Sequence, residues 1–294
     1  MTPPITVRLV GGLGNQLFGY YAGAAVAALC HSPLRLDTSQ TRRGFTDHGL
    51  EIVRFDLPGE WQSTSKSIRD LLLLHGLLNR RIAMYALRRY PALGRPIGIF
   101  QASSVGHSEE LKAQRPGTFL SGYFQSWRTV QMAVDAGLPR RPPLKSRSKW
   151  LDNLIDRAAS EGPIAVHVRR GDYKYLRTYE FLDRAYYENA IGLLREHGIR
   201  GGIWLFSDEP SNARQALGRY ANEAEVLRSC DGPAAELLAM SYAAANVIAN
   251  STFSWWSAWM GLQGRPVVCP SRWFRGEPSS DDLLPPEWIR VSVS

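Results

Sequence analysis

The chain has 294 residues, 44% of them hydrophobic, so it is long and apolar enough for two α/β domains and does not belong to the disordered class. It carries 35 basic and 27 acidic residues, and the formal net charge of +8 favours anionic partners such as nucleotides, phospholipid headgroups or nucleic acid. The three cysteines, Cys30, Cys230 and Cys269, lie far apart, which predicts a reduced cytoplasmic protein with neither a disulfide nor a zinc site. A predicted strand follows the first few residues directly, so we expect no signal peptide.

The first stretch of the chain predicts a β-loop-α-β unit with a glycine loop at its first turn. Ile5–Val10 is strand-like, and the loop Gly11–Gly14 runs into an Ala-rich helix. Leu34–Leu36 is a second short strand, closed by Asp37. The loop departs from the dinucleotide-binding fingerprint, because Leu17 stands where a third glycine or alanine is required.

Polar side chains of this unit leave two functions open. Asp37 stands near the distance at which a dinucleotide-binding domain contacts a ribose, so a nicotinamide-dependent oxidoreductase that uses the Gly11–Gly14 loop is one alternative. Asn15 and Gln16 begin the helix and no lysine follows the glycines, which excludes a P-loop. Their amides suit hydrogen bonds to a sugar or a phosphate instead.

Ile68–Tyr90 shows helical periodicity in its apolar residues and also carries several arginines. The pattern fits three interpretations: the solvated basic face of an ordinary helix, contact with an anionic membrane, or contact with an anionic acceptor.

Further along, Thr118–Trp127 predicts a strand followed by an aromatic loop. Pro139–Lys149 is Pro-rich and basic, which is typical of a linker. We therefore predict an N-terminal domain over residues 1–140, a linker over 141–150 and a C-terminal domain over 151–294.

The second half predicts strands and helices in strict alternation, which indicates a parallel sheet with helices on both faces. The predicted strands are Ile164–Val168, Ile203–Phe206, Glu225–Leu227, Asn246–Ala249 and Pro266–Cys269. The predicted helices are Ala185–His197, Asn212–Tyr220, Ala234–Ala244 and Phe253–Met260. In such a sheet the loops after the strands share one edge, and ligands bind there.

The polar loops predicted at that edge are Arg169–Asp172, Ser207–Pro210 and Asn250–Thr252. The adjacent guanidinium groups of Arg169 and Arg170 match phosphate oxygens and stay charged at any working pH. The alternative is a surface ion pair between Arg170 and Asp172 beside a solvated Arg169.

Other side chains of this edge fit structural as well as functional interpretations. Asp208 is either a turn residue or an acceptor for guanine or a ribose hydroxyl. Asn250–Thr252 forms either a plain helix cap or an anion site. His167, taken alone, is typical of a core histidine, and the tryptophans of the last predicted helix have a spacing that favours core packing over base stacking. The sequence contains no Asp-x-Asp pair, so we expect cationic side chains to neutralise a diphosphate without a metal.

Motifs spread over nearly the whole chain resemble glycosyltransferase family 11, the α-1,2-fucosyltransferases. In chain order they are GGLGNQLFGYYAG from Gly11, GYFQS at Gly122–Ser126, HVRRGDY at His167–Tyr173, LFSDEP at Leu205–Pro210 and NSTFSWWSAW at Asn250–Trp259. The resemblance implies a GT-B-like α/β fold, with two Rossmann-type domains whose parallel sheets face a cleft. It also implies GDP-β-L-fucose as donor, no metal or other cofactor, and inversion at the anomeric carbon.

The resemblance implies roles for individual residues as well. Arg169 binds the donor diphosphate, and His167 and Asp208 lie at the nucleotide. The full predicted donor site comprises Gly14, Asn15, Gln16, His167, Arg169, Arg170, Asp208, Asn250, Ser251, Thr252 and Phe253. We expect the acceptor sugar near Phe45, His48, Tyr123, Gln125 and Trp127.

The proton acceptor is the least determined role. Members of the family often carry a histidine shortly before the helix that follows the arginine motif, whereas this chain has Tyr179 and Glu180 there. Asp172 is the first candidate, Glu180 the second, and the donor phosphate itself a third. Asp172 alternatively only orients Arg170.

We thus expect inverting, metal-independent transfer of L-fucose to the 2-hydroxyl of a terminal galactoside, on a free oligosaccharide or a lipid-linked glycan. A fucosyltransferase of other regiospecificity, the oxidoreductase, a lectin-like relative and a basic nucleic-acid-binding protein with nine tryptophans are the alternatives. We expect no nucleic-acid partner, a cytoplasmic location, and, as an open possibility, peripheral contact with the inner membrane.

Overall fold

The computed structural model describes residues 1–41, 49–63, 90, 93–94, 98–102, 105–171, 182–276 and 279–293. The predicted site residues Phe45, His48, Asp172 and Glu180 lie outside the described residues, as does the predicted basic helix up to residue 89. The chain forms two compact units, Met1–Pro142 and Pro143–Ser294.

The described part of the first unit contains a parallel sheet of five strands in the order β3-β2-β1-β5-β4. Its strands are β1 (Ile5–Arg8), β2 (Leu34–Asp37), β3 (Glu60–Gln62), β4 (Ile99–Gln101) and β5 (Phe119–Ser121). Its α-helices are α1 (Leu13–Leu29) and α2 (Trp127–Asp135), and short 3-10 turns span Ile52–Arg54 and Glu109–Ala113. The predicted β-loop-α-β start is confirmed.

Helix α1 is buried over most of its length because its residues are small or apolar. A Cβ added at Gly23 would lie 2.6 Å from Val7 Cγ1, so this glycine lets the helix pack closely on β1. The buried Tyr20 and Tyr21 donate their hydroxyls to the carbonyls of Pro58 and Pro139, at 2.9 and 2.6 Å. The helix therefore connects the sheet to distant loops of its own unit.

In the second unit the described residues form a parallel sheet of six strands in the order β11-β10-β9-β6-β7-β8. Its strands are β6 (Ile164–Val168), β7 (Ile203–Ser207), β8 (Ala224–Val226), β9 (Ala245–Val247), β10 (Val267–Pro270) and β11 (Ile289–Val291). Its α-helices are α3 (Lys149–Glu161), α4 (Arg184–Glu196), α5 (Pro210–Ala213), α6 (Pro233–Tyr242) and α7 (Thr252–Trp259). The predicted parallel sheet is confirmed, and β11 is an edge strand that the sequence did not predict.

One predicted helix is wrong. In place of a continuous helix over Asn212–Tyr220, α5 is a single turn, and the 3-10 segment Arg214–Glu223 follows it. Gly218 breaks that segment with φ +53° and ψ −119°, which side chains rarely allow. The Glu188 carboxylate fills the adjacent space and accepts a hydrogen bond from the Arg219 backbone at 2.7 Å.

Tryptophans of α7 lie in the core, as predicted. Trp255, Trp256 and Trp259 are at most 1% exposed, and the rings of Trp255 and Trp259 stack with centroids 5.2 Å apart. The Trp255 indole N–H donates to the Leu283 carbonyl at 2.8 Å. These rings are therefore packing groups, and they offer no base-stacking surface.

Each sheet reverses its strand order beside its central strand. In the first sheet the chain proceeds from β1 outward through β2 and β3, crosses to the opposite edge with β4 and then places β5 between β4 and β1. In the second it proceeds from β6 through β7 and β8 and returns beside β6 with β9. Such a reversal opens a crevice at the carboxyl ends of the two central strands, where α/β proteins bind ligands. No helix within the described ranges is long and apolar enough to cross a bilayer.

Candidate active site

The loop after β6 is held by a carboxylate from the loop after β7. Val168 and Ser207 are paired in register, so residues that follow them meet at the sheet edge. The two oxygens of Asp208 accept hydrogen bonds from the backbone N–H groups of Arg170 and Gly171, both at 3.0 Å. Asp208 Oδ2 also pairs with Arg169 Nη1 at 3.1 Å. Arg169 thus lies at the edge of the sheet in a position fixed by Asp208.

This contact requires a glycine at position 171. A Cβ added there would lie 2.6 Å from Asp208 Oδ2, well inside van der Waals contact. The sequence motif contains Gly171 but does not by itself reveal this close contact. A glycine directly after two arginines at a strand end was the signal that its backbone is approached closely.

His167 lies one position before the arginines, and only 4% of it is exposed. Its ring packs against Phe253, with centroids 5.4 Å apart. Burial, reinforced by the nearby Arg169, lowers the pKa of His167 to about 3, so the imidazole is neutral near pH 7. Its Nδ1 atom is buried and meets no hydrogen-bond partner among the described residues, which is rare for a buried polar group.

The third predicted loop follows β9, next to β6. Asn250 is 2% exposed, and its amide donates to the Trp273 carbonyl at 3.0 Å. Ser251 is the N-cap residue of α7, but its side chain makes no capping hydrogen bond within the described structure. Thr252 and Phe253 are partly exposed in the first turn of that helix. The loops after β6, β7 and β9 therefore meet at one edge, as predicted.

The first unit carries uncharged groups at the equivalent edge. Gln125, after β5, donates its amide to Asn15 Oδ1 at 2.8 Å and so bridges the crevice beside β1. Gly14 and Asn15 lie in the first turn of α1, after Gly11, which adopts φ +67°. Gln16 is fully buried and bonds to the protein's own backbone at Gly11, Gly49 and Ile52. Its predicted contact with the donor stays a prediction.

Aromatic residues flank Gln125. Tyr123 is 37% exposed, whereas Phe124 is 2% exposed and stacks near Phe100 with a centroid distance of 6.5 Å. Phe124 adopts φ +53°, an uncommon conformation for a bulky residue. Trp127 begins α2 partly exposed, with the Arg128 guanidinium 5.5 Å from its ring centroid.

Asp37 does not have the exposure that the oxidoreductase alternative requires. It is paired in register with Arg8, and their side chains form an ion pair at 3.0 Å with 4% and 5% exposure. The other Asp37 oxygen accepts the Ser39 N–H at 3.0 Å. The carboxylate is thus engaged inside the protein. The overlooked signal was a cation within the first predicted strand and an anion directly after the second.

Metal chemistry was predicted to be absent from this site. Within the described ranges, no three His, Cys, Asp or Glu side chains come together as a metal site. Metal independence stays a prediction.

Two α/β units, each with a parallel sheet and a crevice at its strand ends, define the GT-B-like class. Fucosyltransferase NodZ from Bradyrhizobium has this fold: its crystal structure matches with a TM-score of 0.55 at 11% identity, over 89% of this chain and 94% of that chain. A structure of NodZ α-1,6-fucosyltransferase soaked with GDP-fucose matches with a TM-score of 0.51 at 13% identity, over 89% and 93%. The predicted fold class is confirmed.

The sequence model described as glycosyl transferase family 11 matches residues 117–292. The chain belongs to this family and is a glycosyltransferase, so the oxidoreductase alternative is wrong. The curated relatives from Escherichia coli include an alpha-1,2-colitosyltransferase, 24% identical over 98% of this chain and 98% of the relative. Another is the O-antigen biosynthesis glycosyltransferase WbnK, 28% identical over 96% and 99%.

Proposed function

We propose that this glycosyltransferase transfers L-fucose from GDP-β-L-fucose to the 2-hydroxyl of a terminal galactoside, with inversion and without metal. The observation that carries the proposal is Arg169, held at the carboxyl edge of β6 by its ion pair with Asp208. A fixed guanidinium at a switch point suits a diphosphate leaving group. Membership of family 11 supports the same chemistry.

In the proposed reaction the acceptor oxygen bonds to the anomeric carbon as the bond to the donor β-phosphate breaks. GDP departs with the bonding electron pair, and Arg169 stabilises the negative charge that grows on its phosphate. The hydroxyl proton passes to Asp172, to Glu180 or to the departing phosphate. Arg170, Ser251 and Thr252 add donors around the diphosphate.

His167 contributes as a neutral group. Its pKa is lowered to about 3, so near pH 7 the imidazole is uncharged and does not repel the neighbouring guanidinium. Its buried Nδ1 has no partner among the described residues, which supports a hydrogen bond to the nucleotide. Phe253, whose ring lies 5.4 Å from the imidazole, bounds the same space.

The acceptor sugar is proposed to contact the first unit. The Gln125 amide suits an acceptor hydroxyl, while the Asn15 side chain that it contacts is proposed to face the donor sugar. The exposed Tyr123 ring suits the apolar face of a galactoside. Trp127 adds a second partly exposed ring, and Phe45 and His48 complete the predicted set.

Colitose is a second candidate for the transferred sugar, because one relative that aligns over 98% of this chain is named an alpha-1,2-colitosyltransferase. Colitose is L-fucose without its 3-hydroxyl. A site that hydrogen-bonds this hydroxyl rejects the deoxy sugar strongly, whereas an apolar site accepts both. The ratio of kcat/KM for the two GDP-sugars therefore distinguishes the candidates.

The biological acceptor is proposed to be a bacterial surface glycan, since the other relative is named for O-antigen biosynthesis. The donor would then come from the cytoplasm and the acceptor would be a free or lipid-linked oligosaccharide. Contact with the inner membrane would follow from a lipid-linked acceptor.

A transfer assay tests the proposal. Purified protein is incubated with EDTA, GDP-fucose or GDP-colitose, and a panel of galactosides, and GDP release, product mass and linkage by NMR are measured. We expect an α-1,2-fucosylated product at full rate in EDTA. Loss of product on chelation contradicts metal independence, another linkage contradicts the regiospecificity, and absence of both GDP release and GDP binding overturns the proposed donor.

A further inference from the structure

The structure assigns Asp208 as a positioning residue that sets Arg169, rather than as a contact of the nucleoside. This inference rests on the proposed function and gives Asp208 a different role from the nucleotide contact expected from the sequence. Its basis is the set of bonds that Asp208 makes within the protein.

Both carboxylate oxygens of Asp208 are directed at the loop after β6. Oδ1 accepts the Arg170 N–H and Oδ2 accepts the Gly171 N–H, each at 3.0 Å. Consecutive backbone N–H groups that converge on one anion form a specific cradle for negative charge. Asp208 therefore fixes the backbone that carries both arginines.

The same carboxylate also sets the direction of one guanidinium. Asp208 Oδ2 lies 3.1 Å from Arg169 Nη1, and the two side chains are only 22% and 21% exposed. At this partial burial the ion pair is screened less than a surface pair. A planar guanidinium held at one nitrogen has a defined orientation for its other N–H groups, which face the diphosphate in the proposed reaction.

The neighbouring residues are built around this contact. Any side chain at position 171 would meet Asp208 Oδ2, since an added Cβ would lie 2.6 Å away. Asp208 also follows Ser207, which is paired in register with Val168, so the strand pairing itself brings the carboxylate to the arginine loop. Nucleoside recognition explains neither the glycine nor the orientation of both oxygens towards the backbone.

Calorimetry with three ligands separates the two roles of Asp208. Asp208→Asn keeps the shape but puts an amide against backbone donors and the guanidinium. If Asp208 positions Arg169, the Kd for GDP and for inorganic diphosphate rises at least about tenfold, because a charge-assisted contact contributes about 1.5 kcal/mol or more. The Kd for guanosine stays within about twofold, which also shows that the variant is folded.

The double variant gives a second, independent readout. Once Arg169→Ala has removed the guanidinium, adding Asp208→Asn is expected to weaken diphosphate binding no further than about twofold, since coupled residues are not additive. Gly171→Ala is expected to reproduce the diphosphate-selective loss from the other side of the contact. Asp156→Asn, which removes an exposed carboxylate on α3, is the charge control and should match the wild-type protein.

Other results would contradict the positioning role of Asp208 or the proposed function. Equal losses of affinity for guanosine and GDP, or additive losses of diphosphate affinity in the double variant, overturn the positioning role. Asp208 would then be a nucleoside-binding residue. A wild-type protein that binds GDP while Asp208→Asn keeps diphosphate affinity overturns this inference alone. A wild-type protein that binds neither GDP nor diphosphate overturns the proposed function, and the inference with it.

Discussion

The carboxyl edges of the two sheets are built alike around a central strand, but the side chains described there differ in charge. In both, the strand order reverses beside the central strand, β1 in one unit and β6 in the other. At β6 the ion pair of Arg169 and Asp208 lies at the edge, partly exposed. At β1 the edge carries the uncharged pair of Asn15 and Gln125.

The first unit does contain an ion pair at its strand ends, but it is buried. Arg8 and Asp37 are 5% and 4% exposed, and the Arg8 guanidinium lies 5.1 Å from the Phe119 ring centroid. A buried pair of this kind serves packing, whereas a partly exposed one is accessible to a ligand. The comparison shows that the fold decides where loops converge, and that side-chain burial decides which charges a ligand meets.

The largest expected effect concerns the buried pair. Asp37→Ala leaves the Arg8 charge uncompensated inside the protein, and we expect a loss of about 3–5 kcal/mol in the free energy of unfolding. Chemical denaturation measures the loss. Asp56→Ala, an exposed carboxylate of the same unit, is the control and should change stability by less than about 0.5 kcal/mol. An Asp37→Ala protein with wild-type stability would show that the Arg8–Asp37 pair does not stabilise the fold. It would contradict the proposed difference between this buried pair and the partly exposed pair of Arg169 and Asp208.

The next effect concerns the exposed pair. Arg169→Ala is expected to lower kcat/KM for transfer by about 100-fold or more, because a preorganised donor contributes about 3 kcal/mol to the transition state. The kcat/KM of Arg169→Lys should lie between those of the wild-type protein and Arg169→Ala, since lysine keeps the charge without the planar guanidinium.

The arginine control is Arg184→Ala, whose side chain is 66% exposed and pairs with Glu188 on α4. It removes the same charge from the same unit and should leave turnover nearly unchanged. If Arg169→Ala keeps the wild-type rate, the charged edge is not the catalytic one.

A pH effect on stability is expected from His167. Its pKa is about 3 in the folded chain and near 6.5 when unfolded, so between these values only the unfolded state binds the proton. Stability therefore falls as the pH drops below about 6.5, and the loss reaches about 2 kcal/mol at pH 5. His167→Phe should remove that part of the pH dependence.

Denaturation at pH 7.5 and pH 5 measures this difference. His197→Phe, which replaces an exposed histidine, is the control and should keep the wild-type dependence. Equal pH dependence in His167→Phe and the wild-type protein would contradict a buried, neutral imidazole at this edge.

The smallest expected effect concerns Tyr123, beside the uncharged pair of Asn15 and Gln125. Tyr123→Ala should raise the KM for the galactoside roughly five- to tenfold, because an aromatic contact contributes about 1 kcal/mol. The Kd for GDP should not change. Leu262→Ala removes another exposed apolar side chain, 76% exposed in the second unit, and should affect neither constant. A change in GDP affinity in Tyr123→Ala would contradict the proposed assignment of the acceptor to the first unit and of GDP to the second.

Several features of this protein follow from local sequence. The alternating apolar runs determined the second sheet, and the tryptophan spacing of α7 determined that its rings pack in the core, since periodicity records which face is buried. The motif residues determined which loops carry charge. The edge strand β11 and the break at Gly218 did not follow, because short strands depend on their neighbours and a glycine's conformation depends on what packs against it.

Tertiary structure alone decided which of the candidate side chains are engaged. Asp37 and Asp208 look alike in the sequence, each an aspartate at or just after the end of a predicted strand. Strand register pairs one with the buried Arg8, and brings the other to the N–H groups of Arg170 and Gly171. Sequence records the order of charges along the chain, whereas their partners and burial arise from residues that only strand pairing brings together.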